Sequence, residues 1–145
     1  MMEDVVISIR SVQGCGTGRE DSLEFSTDGL YTFDGEVGCL TYMESEVTGL
    51  TGTRTSVMVM PDKIVVDRDG MLTSRMVFQE GQRNLFQYNT PFGMANMSMD
   101  TRSIDKTFDK DGGRMQIDYV VDVEHKLVSK NRFQLTVKKQ TPFGA

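Results

Sequence analysis

A single histidine, two cysteines and no tryptophan are what this sequence is poorest in, and each shortage excludes a kind of chemistry. His125 stands between Glu124 and Lys126 at an expected hairpin tip, so a Ser–His or Cys–His relay has no buried base and a multi-histidine metal site is ruled out. Cys15 and Cys39 are too few for a disulfide framework, and neither has a second ligand pair nearby for zinc. No stretch approaches the roughly eighteen uninterrupted apolar residues of a membrane helix. The N-terminus, "MMEDVVISIR", has acidic residues where a secretory signal has basic ones, and Ser8 and Arg10 interrupt its apolar stretch, so a cytoplasmic protein with free thiols is expected. Basic residues are outnumbered, 16 against 21 acidic, for a net charge of −5. That balance argues against nucleic acid as the partner, because affinity for phosphate backbones needs concentrated Lys and Arg. The nearest basic cluster is "KKQ" with Lys130 and Arg132, a short stripe on one late segment.

Three phosphate- or calcium-like words fail on their surroundings. The "GCGTG" loop, Gly14 to Gly18, leads into "REDSLEF", a strand pattern, whereas a phosphate loop opens a helix. "DRDG" and "DKDGG" carry the core of a calcium loop, but the bidentate Glu expected at the twelfth position is Met76 or Asp118, and the first ligand is Val65 or Thr107. No metal and no other cofactor is therefore expected. With 21 acidic residues some carboxylate pair always meets, so acid–base catalysis is not excluded by residue type alone.

What the chain has in abundance is alternation of apolar and polar residues, the mark of half-buried strands. Val5, Ile7 and Ile9 alternate with polar neighbours; so do Leu23 and Phe25, the long series Met115, Ile117, Tyr119, Val121 and Val123, and the last series Phe133, Leu135 and Val137. Shorter runs cover 31–33, 37–44, 53–60, 63–68, 71–78 and 85–88. Turn words separate them: "TDG", "FDGE", "MPDK", "DRDG", "QEGQ", "TPFG" and "DKDGG". Ile104 and Phe108 sit four apart, but the neighbouring Ser103, Thr107 and glycines predict a short turn or strand end there. Turn signals every roughly eight to twelve residues, with no helical stripe, predict one all-β domain over residues 1–145. An antiparallel up-and-down closed barrel of about eight to ten strands leaves no exposed edge. The word Thr-Pro-Phe-Gly occurs twice, at 90–93 and 141–144, but the flanking residues differ, so it is turn chemistry and not a duplicated module.

Alternation also names what faces inward. Leu40, Tyr42 and Glu44 share one face of their run; Ile64, Val66 and Arg68 share one face of theirs. Glu44 and Arg68 are then interior charges near strand ends, either bridged to each other, solvated at the barrel rim, or anchoring the polar end of a ligand. The apolar part of such a ligand would lie along Tyr42, Phe78 and Tyr88. Eleven methionines suit an irregular core or an adaptable apolar lining.

The ordered set Gly29-x-Tyr31, Tyr42-x-Glu44 with Gly49, Thr53-x-Thr55, Arg68-x-Gly70, Met76-x-Phe78-x-x-Gly81 and Tyr88-x-Thr90-Pro91-x-Gly93 with Thr101 resembles the YwiB-like family of small bacterial proteins. The likeness runs from Val5 to Lys138. It implies a lipocalin-like barrel of calycin type, a Gram-positive-type bacterial origin, a cytoplasmic setting and no established function. The stretch "SEVTGLTG" between Glu44 and Thr53 is longer than the family pattern, and the Gly-x-Trp signature of secreted lipocalins is absent. The expected function is non-enzymatic binding of a small, partly apolar ligand in the barrel or at its mouth, lined by Tyr42, Glu44, Arg68, Phe78 and Tyr88. The alternatives are a side-chain-filled barrel acting as an interaction module or homodimer, and a small-molecule enzyme on a calycin-like barrel. Neither a nucleic acid nor a membrane is an expected partner.

Overall fold

A computed structural model describes residues 2–14, 20–123 and 126–140. The strands are β1 (Glu3–Gly14), β2 (Glu20–Phe33), β3 (Gly38–Met43), β4 (Arg54–Val59), β5 (Ile64–Asp69), β6 (Ser74–Phe78), β7 (Arg83–Thr90), β8 (Gly93–Asp109), β9 (Gly112–Val123) and β10 (Lys126–Lys139). They form one antiparallel sheet in the order β6-β5-β4-β3-β2-β1-β10-β9-β8-β7. Consecutive strands other than β6 and β7 pair as hairpins, and β1 pairs with β10 from Val5↔Lys139 to Gly14↔Lys130, which zips the two ends of the chain together. The two ends of the sheet, β6 and β7, are brought side by side and almost close the barrel. Their seam is thin: Thr73 and Asn89 exchange backbone hydrogen bonds of 2.9 and 3.0 Å, and the Asn84 side-chain amide donates to the Val77 carbonyl at 3.0 Å. No helix occurs among the described residues, and hence none long and apolar enough to cross a membrane.

The turn words "FDGE", "MPDK", "QEGQ", "TPFG" and "DKDGG" fall between strands as read. "TDG" does not. Asp28 and Gly29 lie within the continuous strand β2, opposite Val6 and Val5. Glycine is needed at this position for space and not for a turn: a Cβ there would collide with the Ile7 side chain and stand 2.8 Å from the Thr41 carbonyl oxygen. Gly29→Val is expected to destabilise the barrel by about 2 kcal/mol, the usual cost of overpacking a filled interior. Urea denaturation checks this, and an unchanged midpoint would show that the wall can open to admit the side chain.

Ile104 lies well inside β8 and Phe108 next to its end, and both pack against the core, so the expected strand end holds for Phe108 and not for Ile104. The register of β8 against β9 shifts between Thr101 and Ser103, so the inward set changes from odd positions, Met99 and Thr101, to even ones, Ile104 and Phe108. A bulge of this kind inserts one residue and reverses the alternation beyond it, which is why the pattern looked broken. His125, Cys15, the 15–18 part of the glycine loop and the second Thr-Pro-Phe-Gly lie outside the described residues.

The interior is one apolar cluster to which strands from both halves contribute, among them Ile7, Leu40, Ile64, Met99, Ile117 and Leu135. At one end Tyr31 plugs it, its hydroxyl donating to the Asp109 carbonyl at 2.7 Å. Burial, then the neighbouring Asp109 and Cys39, push the Tyr31 hydroxyl up to about 12. The other end is polar.

Candidate functional site

The polar end is built by register. Tyr42 on β3 lies opposite Thr55 on β4, Thr55 opposite Arg68 on β5, and Arg68 opposite Ser74 on β6. The next row inward is Leu40, Val57, Val66 and Met76, and it is apolar throughout. A polar belt thus rests on an apolar floor. Each of its members is a residue whose alternation faces the barrel interior.

Glu44, just past the end of β3, covers this belt, and the 45–52 segment holds it there. Thr48 N donates to Ser45 O, Gly49 N to Glu46 O, Thr53 N to Leu50 O, and Glu44 N to Thr53 O. So folded, the segment brings the Thr48 hydroxyl within 2.7 Å of Glu44 Oε2, while the Thr55 hydroxyl donates to Oε1 at 2.8 Å. Gly70, after β5, allows the next turn to pack on this segment: a Cβ there would stand 2.7 Å from Thr53 Cα. The 45–52 segment is therefore the part of the chain that positions the Glu44 carboxylate.

Arg68 has no such arrangement. It makes no ion pair with Glu44 or with any other carboxylate among the described residues. Its Nη1 stands 4.0 Å from the Met76 sulfur, and its Nε is buried with no hydrogen-bond partner. The Ser74 hydroxyl, its register neighbour, is buried and likewise unpartnered, as are those of Thr53 and Thr101. Of the three earlier readings for Glu44 and Arg68, the mutual bridge is thus not formed.

Two tyrosines feel the charge of the guanidinium. Burial, and then the Glu44 carboxylate, push the Tyr42 hydroxyl well above the usual phenol range, against the pull of Arg68. Tyr119 on β9 is pushed up to about 12 by burial, and Arg68 again pulls it down. Arg68 therefore sits within electrostatic reach of aromatic side chains on two different strands. The Tyr119 ring meets Phe78 edge-on at 4.9 Å, and Tyr88 on β7 meets Phe86 edge-on at 5.9 Å.

Of the sequence-predicted residues, Tyr42, Glu44 and Arg68 belong to one polar end, and Phe78 joins them through Tyr119. Tyr88 lies across the seam, half-buried against the core. Thr48, Thr55, Ser74, Met76 and Tyr119 belong to the same environment and were not singled out. Tyr119 was legible from its place in the alternating series; Ser74 needed the β5–β6 register. Among the described residues no three His, Cys, Asp or Glu side chains converge in a way that could hold a metal ion.

Comparison with known proteins agrees with this architecture. A family model described as "Domain of unknown function (DUF1934)" matches residues 7–135. The uncharacterized beta-barrel protein YwiB of Bacillus subtilis (strain 168) is 28% identical over 106 residues, which is 73% of either chain. The crystal structure of the ywiB protein from Bacillus subtilis superposes with a TM-score of 0.85 over 97% of this chain and 94% of that one, at 24% identity.

Proposed function

Since the chain belongs to the family described as Domain of unknown function (DUF1934), a description that assigns no activity, we propose its function from the polar end of the barrel: it binds, without transforming it, a small molecule with an anionic head and an apolar body. The observation that carries this reading is Arg68. A half-buried guanidinium with no carboxylate partner and an unbonded Nε is costly to keep, and a ligand carboxylate or phosphate would supply what it lacks. Glu44 is already occupied by Thr48 and Thr55, so its role is to hold the rim segment, and Arg68 is the anchor. The half-buried Tyr88 and Tyr119, backed by the buried Tyr42, Met76 and Phe78, offer aromatic surface for the apolar body. We read the protein as a cytoplasmic one, with Cys39 as a free thiol, and its lipocalin-like, calycin-type barrel as a scaffold suited to such ligands.

The test uses 1-anilinonaphthalene-8-sulfonate as an anionic aromatic probe, titrated into wild-type protein, Arg68→Met and the exposed control Arg75→Gln. Saturable binding is expected, weakened about tenfold to a hundredfold in Arg68→Met, the usual loss of a charge-assisted contact. The control should bind as wild type does. Arg68→Met is also expected to be more stable to urea by ~1 kcal/mol, because it removes a half-buried charge whose Nε has no partner. Unchanged probe affinity in Arg68→Met would refute the assignment. Native mass spectrometry of the freshly purified protein would then reveal any ligand carried from the cell.

A second reading, a homodimer docked through the β7–β8 hairpin, is favoured by one observation: Leu85 and Met94 on that hairpin are 82% and 60% exposed. Sedimentation of wild-type protein against Leu85→Lys distinguishes it, since only a dimer through this face would dissociate.

A further inference from the structure

A groove of about 780 Å³ opens across β1, β10, β9 and β8; Tyr119 is among its lining residues, Arg68 is not. Arg10, Arg102, Lys130 and Arg132 stand around it with Glu20 and Asp118, and Val12 and Val120 form part of its floor. Alternation explains the gathering. Ile7 and Ile9 face the core, so Arg10 and Val12 face out; Leu135 and Val137 face the core, so Lys130 and Arg132 face out. Arg102 is the extra residue of the β8 bulge, between Thr101 and Ser103, and is exposed. Pairing of the two chain ends then sets Val12 opposite Arg132 and Gly14 opposite Lys130.

The charges do not cancel. Asp118 is taken by Arg132, whose Nε donates to it at 2.8 Å, and by the Ser103 hydroxyl at 3.2 Å. Arg10, Arg102 and Lys130 have no ion pair or hydrogen bond through their side chains among the described residues. In a chain of net charge −5, this leaves a groove with four cations and two anions, one of the latter already neutralised. Lys130 and Arg132 are two residues apart on one face, hence roughly 6.7 Å between Cα atoms. Arg10 is a diagonal cross-strand neighbour of Arg132, at roughly 7–8 Å. A single monoanion meets one of these cations; a compact ligand with several anionic groups meets them together. Arginine forks favour phosphate among such groups because they can engage two of its oxygens at once.

We propose that this groove is a second ligand site, anchored by cations other than Arg68, for a small polyanion carrying two or more phosphate groups. The probe is inorganic tripolyphosphate, measured by isothermal titration calorimetry at low ionic strength. Saturable binding is expected with wild-type protein, at least about tenfold weaker in the double variant Arg10→Gln, Arg102→Gln. Arg54→Gln, an exposed cation on another strand, and Arg68→Met should both bind as wild type does. The replaced groove residues are exposed, so an unchanged melting temperature verifies that the double variant is folded. Citrate, a polyanion without phosphate, is expected to bind more weakly. Absence of saturable binding at millimolar tripolyphosphate overturns the proposal. So does an equal loss in Arg54→Gln, which would mean diffuse charge attraction, or a loss confined to Arg68→Met, which would move the anion to the barrel end. Equal binding of citrate overturns the phosphate assignment.

Discussion

Glu44→Ala is expected to lower the free energy of unfolding by about 2–4 kcal/mol, with Glu44→Gln costing roughly 1 kcal/mol. The large value follows from what the carboxylate touches. Thr55 is fully buried, and its hydroxyl has Glu44 Oε1 as its hydrogen-bond acceptor. Without the carboxylate that donor is left unsatisfied in a site that water does not reach, and the volume of the side chain is left empty as well. The Thr48 hydroxyl loses its 2.7 Å contact, so the 45–52 segment loses the side-chain tether that holds it over the barrel end. Glutamine keeps an acceptor for Thr55 and most of the volume, which is why it costs less. Urea denaturation of both variants checks the order. Equal stability of Glu44→Ala and wild type would show that the rim segment holds itself and that Glu44 is there for something else.

How much of this was legible in the chain depends on how local each contact is. Alternation placed Tyr42 and Arg68 on inward faces because two-residue periodicity is a property of a strand by itself. It could not place Ser74 beside Arg68, since that needs the β5–β6 register, nor Thr48 on Glu44, since that needs the turns of the 45–52 segment. Gly29 misled because glycine at a turn and glycine at a crowded wall look alike until the opposing Ile7 is in position. The β8 bulge misled for another reason: one inserted residue at Arg102 reversed the inward set, so a continuous 17-residue strand showed no single run of alternation. The outer groove was visible only as the stripe of Lys130 and Arg132. Its other half, Arg10, comes from the opposite end of the chain and meets them only when β1 pairs with β10. The fold was thus largely local information. The sites are where distant segments add to it.

The barrel is expected to unfold steeply between about pH 10 and 12, and its tyrosines are the reason. A tyrosine in the unfolded chain titrates near pH ~10. In the folded barrel Tyr31 and Tyr119 are pushed up to about 12, and Tyr42 is raised as well, in each case chiefly by burial. A raised folded-state pKa means that the fold holds a proton the unfolded chain has released. The stability tied to these groups is therefore fully present below pH ~10 and is lost as pH rises through the folded values. Each tyrosine removes up to ~1.4 kcal/mol per pH unit in that window. Three acting together remove at most about 8 kcal/mol over these two units, enough to unfold a domain in the lower half of the ordinary range of about 5–15 kcal/mol. Tyr31 plugs one end while Tyr42 and Tyr119 flank Arg68 at the other, so both ends of the barrel lose support together. The check is tyrosinate absorbance near 295 nm followed together with the far-ultraviolet sheet signal. Phenolate formation beyond that of exposed tyrosine should appear only as the sheet signal disappears, and Tyr119→Phe should move the transition to higher pH. A gradual titration centred near pH 10, with the sheet intact, would mean that these hydroxyls reach water in the folded protein.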